Sequence, residues 1–131
     1  MKTGGLVKPA ATGNVEWSAT VLPLRRYRDI PAFLAFSTRV AKQVKRTDGA
    51  VRYALNTDMR RKKFWTVSAW RDRAAMRAFV QAEPHLTATK RFAQWAGEGA
   101  AFVEWTAPDG KVDWKDVLKR LKTPTFRYQK R

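Results

Sequence analysis

Residues 15–24, VEWSATVLPL, alternate in character: Val15, Trp17, Ala19 and Val21 fall on one side, Glu16, Ser18 and Thr20 on the other. A period of two belongs to a half-buried strand, and Pro23 ends it or marks an edge, because proline has no N–H for a ladder. RRYRDIP then reads as a turn, with Asp29 and Pro31 near a helix start. From Pro31 to Arg46 the period changes. Phe33, Phe36, Val40 and Val44 recur at helical spacing, and Lys42, Lys45 and Arg46 stand where cations complement the helix dipole. TDG (47–49) stops that helix. AVRYALN (50–56) and FWTVSAW (64–70) are two further strands, and the charged TDMRRKK between them is short enough for an antiparallel hairpin. Asp72 is placed to cap a second helix with Met76, Phe79 and Val80 as its apolar stripe. Pro84 kinks or restarts it, and Leu86, Thr89, Phe92 and Ala93 carry a helical face to about Trp95. GEG (97–99) breaks the run before a fourth strand, AAFVEW (100–105).

The order is β-α-β-β-α-β, the split arrangement of an α+β, ferredoxin-like fold with an antiparallel four-stranded sheet and two helices on one face. The other face has to meet something, and a second copy is the economical cover, giving a dimeric α/β barrel. This domain is expected over 14–106. Residues 1–13, rich in Gly, Ala and Thr, read as a flexible leader. Residues 107–131 read as a basic C-terminal extension with a short helix, capped by Asp113 and carrying Trp114, Val117, Leu118 and Leu121. Trp114 is expected to anchor that helix on the body or on a partner copy.

Composition narrows the chemistry. In 131 residues there are six Trp, seven Phe and three Tyr, enough for a core, which argues against a wholly disordered basic chain. There is no cysteine and one histidine, His85, so disulfides, thiolate chemistry and multi-histidine metal centres within one chain are excluded. MKTGGLVKPAATGN lacks the apolar run of a secretory signal, and there is no 18-residue apolar segment for a transmembrane helix; a cytoplasmic protein is expected. The net charge of +16 is spread over RRYR, RRKK, KR and residues 111–131. It reads either as a solvated basic surface or as a field for nucleic acid or another polyanion.

The stretch FWTVSAWRDRAAMRAFVQAEPHL (64–86) resembles the antibiotic-biosynthesis monooxygenase family of the dimeric α/β-barrel superfamily. In that family a third strand ends in tryptophan, the next helix opens on an acidic or polar cap, and a Pro-His step follows its apolar stripe. The matching residues are Trp70, Asp72, Ala75, Met76 and Phe79, then Glu83, Pro84 and His85. The resemblance implies small homodimers with a pocket between sheet and helices in each subunit. It also implies, for several members, oxidation of electron-rich phenols or quinols by O₂ without metal or flavin, while relatives degrade haem and others have no known catalytic role. Two positions depart from the pattern. Phe79 stands where many members have a helical histidine, and Thr89 stands near the iron ligand of the haem-degrading relatives. No cofactor is therefore expected, with haem open only through His85.

Oxygenation without a cofactor needs a base, a dry pocket that raises the substrate's electron-donating power, and room for O₂. On this reading His85 is the catalytic base or a substrate hydrogen-bond partner. Trp17, Trp65, Trp70 and Phe79 would frame an aromatic pocket, with Arg52, Asn56 or Ser68 orienting the oxygens of a small aromatic or acidic substrate. The plainer alternatives are that His85 caps the restarted helix, and that the tryptophans are core. Glu16 and Glu104 on neighbouring strands form either an acid pair or partners for arginines.

Overall fold

The computed structural model describes residues 2–6 and 13–127. The strands are β1 (Lys2–Leu6), β2 (Asn14–Pro23), β3 (Ala50–Asp58), β4 (Lys63–Trp70), β5 (Ala101–Pro108) and β6 (Phe126–Arg127). The helices are α1 (Ile30–Arg46), α2 (Arg73–Gln81), α3 (His85–Trp95) and α4 (Trp114–Leu121). All strands join one antiparallel sheet in the order β1-β3-β4-β2-β5-β6. Its four central strands, β3-β4-β2-β5, have the ferredoxin-like order that the periodicities predict.

Two edges differ from expectation. Lys2–Leu6, expected in a flexible leader, pairs with β3 from Lys2↔Asn56 to Leu6↔Arg52. KTGGL has no alternation to signal a strand; the exposed β3 edge supplies main-chain partners that do not depend on side-chain pattern. At the other edge β6 pairs with β5 at Ala101↔Arg127 and Phe102↔Phe126.

Local chemistry sets the helix boundaries. Asp72 Oδ1 accepts the Ala75 N–H at 2.8 Å, and Asp113 Oδ1 accepts those of Lys115 and Asp116 at 3.1 and 3.4 Å. Each cap satisfies donors that a first turn leaves without helical partners. Pro84 separates α2 from α3, so the expected kink is a break between two helices.

The sheet has two unlike faces. Helices α1, α2 and α3 cover one. On the other, Val15, Trp17, Ala19 and Val21 join Val67, Ala69, Ala101 and Val103 in a core closed by Val117 and Leu121 of α4. The chain's own C-terminal helix thus lies on the face for which the sequence suggests a second copy. A nearly buried ion pair, Arg52 Nε to Asp109 Oδ1 at 3.0 Å, ties β3 to the segment that leads into α4. No helix among the described residues is long and apolar enough to cross a membrane.

Candidate functional site

Between the sheet and helices α1–α3 lies a cavity of about 270 Å³. Its floor is the polar side of the strands. Because Ser18 pairs with Ser68 and Thr20 with Thr66, four hydroxyls stand together on the middle of the sheet. Thr20 and Thr66 hydrogen-bond to each other, and Ser68 Oγ accepts the Trp70 indole N–H at 2.9 Å. The walls are rings. Phe33, Phe36, Phe92 and Trp95 enclose one end, and Trp70 and Phe79 the other. Rings over hydroxyls suit a flat guest that carries oxygen.

His85 is the first residue of α3 and lines this cavity. Its ring packs on Phe79, with centroids 4.7 Å apart, and Phe79 packs on Trp70 at 4.8 Å. Nδ1 lies 3.1 Å from the Val80 carbonyl oxygen, which can only accept, so the neutral ring carries its proton on Nδ1. Thr89 Oγ1 is 3.5 Å from the same nitrogen and donates to the His85 carbonyl at 3.0 Å. Nε2 is left as a lone-pair acceptor with no partner among the described residues. Burial holds the imidazole pKa below its ordinary 6.5, and the hydrogen bond to Val80 opposes that shift. The result is a ring that is neutral at neutral pH, with Nε2 as an acceptor.

Buried Gln43 of α1 fixes this arrangement. Its Nε2 donates to the Phe79 carbonyl at 3.1 Å and to that of Ala82 at 3.4 Å, and its Oε1 accepts the His85 backbone N–H at 2.9 Å. A single side chain therefore holds the end of α2 and the start of α3 against α1. The backbone N–H of His85 is satisfied in this way, while its imidazole Nδ1 meets the Val80 carbonyl in the last turn of α2.

Tyr53 of β3 also lines the cavity. Burial alone pushes its pKa up to about 12, so the phenol stays protonated as a donor. Glu104 stands at the rim, 3.4 Å from Arg73 Nη2. Glu16 accepts the Thr106 hydroxyl at 3.0 Å on both oxygens. The two carboxylates thus have separate partners and do not form an acid pair.

Of the residues singled out from the sequence, His85, Ser68, Trp70 and Phe79 meet at the cavity. Trp17, Arg52, Asn56 and Trp65 do not; all four stand on the opposite side of the sheet. The pairings Val21↔Trp65↔Asn56 and Trp17↔Ala69↔Arg52 put them on the α4 face. Side chains one step apart on a strand point to opposite faces, so an aromatic strand cannot send all its rings into one pocket. Trp17 stacks on Trp105, with centroids 5.9 Å apart, and Arg52 is held by Asp109. Asn56 and Trp65 border a separate open hollow at the β3–β4 turn, beside Asp58 and Arg60. Sequence reasoning missed Ser18, Thr20, Tyr53 and Phe102 as lining residues. The signal was present in β2: its polar side, Ser18 and Thr20, faces the helices, and a polar sheet face beneath helices marks a hollow better than a core.

No cluster of three or more His, Cys, Asp or Glu suited to a metal occurs among the described residues. His85 is the one imidazole at this cavity, so a haem iron could be held here only through its Nε2.

No protein-family model and no curated protein matches this chain. Solved structures match its fold. A structure described as an antibiotic biosynthesis monooxygenase superposes with a TM-score of 0.64 at 15% identity, covering 72% of this chain and 99% of that one. A Mycobacterium tuberculosis protein gives 0.62 at 17% identity, covering 77% and 100%. SnoaB from Streptomyces nogalater, described as a cofactor-independent oxygenase, gives 0.54 at 14% identity, covering 78% and 97%. The chain has the α+β, ferredoxin-like fold of antibiotic biosynthesis monooxygenase structures.

Proposed function

We propose that this protein takes a fused phenol or quinol into the cavity and oxidises it with O₂, without a metal or organic cofactor. The observation that carries this reading is the unpartnered Nε2 of His85 at a ring-walled cavity of about 270 Å³. An apolar cavity of about 150 Å³ holds a benzene ring, so this one suits roughly two fused rings. The cofactor-independent oxygenase SnoaB, which shares the fold, supports the absence of a cofactor.

With 1-naphthol as probe, the chemistry balances as follows. Nε2 takes the O–H proton, and the naphtholate pushes electron density to the carbon para to its oxygen. That carbon bonds to O₂, and the peroxide takes the proton from the imidazolium. Nε2 then removes the hydrogen from the same carbon, a C=O forms, the O–O bond breaks, and the expelled hydroxide leaves as water with that proton. One naphthol and one O₂ give one 1,4-naphthoquinone and one water. Exclusion of water by the aromatic walls keeps the naphtholate a strong electron donor.

The test is oxygen uptake with quinone appearance. His85→Gln should lower turnover about a hundredfold or more, as expected for loss of a general base, with the far-UV circular dichroism unchanged. Equal turnover in the variant removes His85 from the mechanism. Wild-type protein that consumes no O₂ with naphthols ends the oxygenase reading.

A second reading rests on a different observation. The fold gathers two basic runs that are distant in sequence: Leu24 N–H donates to the Lys62 carbonyl at 2.8 Å, Tyr27 OH donates to the Arg60 carbonyl, and Lys62 Nζ sits 4.5 Å over the Tyr27 ring. Arg25, Arg26 and Arg28 thus approach Arg60, Arg61, Lys62 and Lys63. We propose nucleic-acid phosphates as the polyanion suited to this end. Affinity for single-stranded and duplex DNA should fall steeply with salt; no binding at low salt removes this reading.

A further inference from the structure

The cavity floor is not uniformly polar. The pairings Tyr53↔Ser68, Ser68↔Ser18 and Ser18↔Glu104 place these four residues in one row across β3, β4, β2 and β5, and all four line the cavity. Two residues further along the strands the row is Leu55, Thr66, Thr20 and Phe102. Its two hydroxyls bond to each other and are already satisfied. Two residues beyond that, Phe64 pairs with Leu22, and Phe64 lies against Phe33 with centroids 4.5 Å apart. At about 3.4 Å per residue, the floor passes from open hydroxyls to hydrocarbon over roughly 13 Å.

Three features make the first row a recognition element. The Tyr53 phenol and the Ser18 hydroxyl have no hydrogen-bond partner among the described residues, although both line the enclosed space. Ser68 Oγ already accepts from Trp70, which leaves its own proton to donate elsewhere. Glu104 closes the row with an acceptor beside Arg73. The base stands at the same end: Trp70 follows Ser68 by two residues on β4, Phe79 covers Trp70, and His85 covers Phe79. A polar group that an occupant covers and leaves unpaired is penalised, so an occupant that pairs with these hydroxyls is favoured over one that does not.

We infer that the ligand is a fused aromatic whose oxygens lie together along one edge, held by Tyr53, Ser68 and Ser18, with the opposite edge bare hydrocarbon against Leu22, Phe33 and Phe92. The inference rests on the reading of this cavity as a phenol site and specifies its substrate class. It assigns selectivity to Tyr53 and Ser18, and leaves the proton transfer to His85.

The experiment compares isomers under nitrogen, so that binding is read without oxidation. Quenching of tryptophan fluorescence gives dissociation constants for naphthalene-1,8-diol, with both oxygens on one edge, and naphthalene-2,6-diol, with oxygens at opposite ends. The 1,8-isomer should bind about tenfold more tightly, a difference of about 1.4 kcal/mol. In the Tyr53→Phe and Ser18→Ala double variant the two affinities should agree within about twofold, through weaker binding of the 1,8-isomer. Equal affinities in the wild type, or a preference that survives in the variant, overturn the inference. Should the wild type bind with this preference while consuming no O₂ with naphthols in air, the edge selectivity stands and the oxygenase reading falls. Oxidation without isomer preference does the reverse, and absence of binding by either diol sinks both.

Discussion

The two faces of the sheet come from the same strands, alternate residues of one chain segment, yet one is filled and the other is hollow. On the α4 side, small aliphatic groups meet stacked indoles: Trp17 against Trp105, with Arg120 4.7 Å above the Trp105 ring. Even the Trp17 indole N–H is enclosed there without an acceptor among the described residues. On the α1–α3 side, rings stand at the perimeter and short hydroxylated side chains form the floor, so the centre is left open. Large side chains in alternating positions fill a layer, whereas Ser and Thr beneath bulky helical residues hold the layers apart. The lesson is that aromatic content does not locate a pocket; the face carrying hydroxyls beneath helices does.

This contrast can be broken most severely at the Arg52–Asp109 pair on the filled side. Arg52→Ala leaves a nearly buried carboxylate without its cation and should cost about 3–5 kcal/mol in urea unfolding. A smaller effect would mean that water reaches Asp109 and that the α4 layer is looser than its packing suggests. Next comes a matched pair of enlargements. Ala19→Leu pushes into a filled layer and should cost about 1–3 kcal/mol, whereas Ser37→Leu, facing the cavity from α1, should change stability by under about 1 kcal/mol while abolishing naphthol binding. Similar losses at both positions would erase the distinction between the faces.

Much of this was legible in the sequence, for physical reasons. Alternation in β2 separated Val15, Trp17, Ala19 and Val21 from Ser18 and Thr20, and Asp72, Asp113 and Pro84 marked helix boundaries through local bonding alone. What local pattern does not carry is which layer covers which face. Trp17 and Trp65 were therefore expected at the pocket, because indoles serve a core and a binding wall equally well. β1 escaped notice because its pairing is main chain to main chain. The role of Gln43 escaped too, since nothing in QVKR indicates that a glutamine 42 residues before His85 will reach its backbone.

Two smaller effects sharpen the comparison. Asp113→Ala removes the cap of α4 and should cost about 1 kcal/mol in urea unfolding, with naphthol affinity unchanged because α4 lies across the sheet from the cavity. The smallest effect is in pH. Burial lowers the folded-state pKa of His85 below 6.5, so as pH falls from that value the unfolded chain takes up the proton before the folded one. Wild-type stability should therefore decline relative to His85→Gln as pH falls from 6.5 to the folded pKa, and the two should run parallel above 6.5. In the wild type the acid limb of turnover should likewise lie below 6.5; a limb above that value would mean another group sets the rate.

The triple attachment of Gln43 bears on how firmly the His85 ring is held. Its three bonds reach two helices from a third, and at about 1 kcal/mol net for each they make detachment of that corner cost about 3 kcal/mol. Roughly one molecule in a hundred would have the corner sprung at any moment. The imidazole is carried by the same corner, so the bonds that join three helices also fix where its ring stands over the cavity.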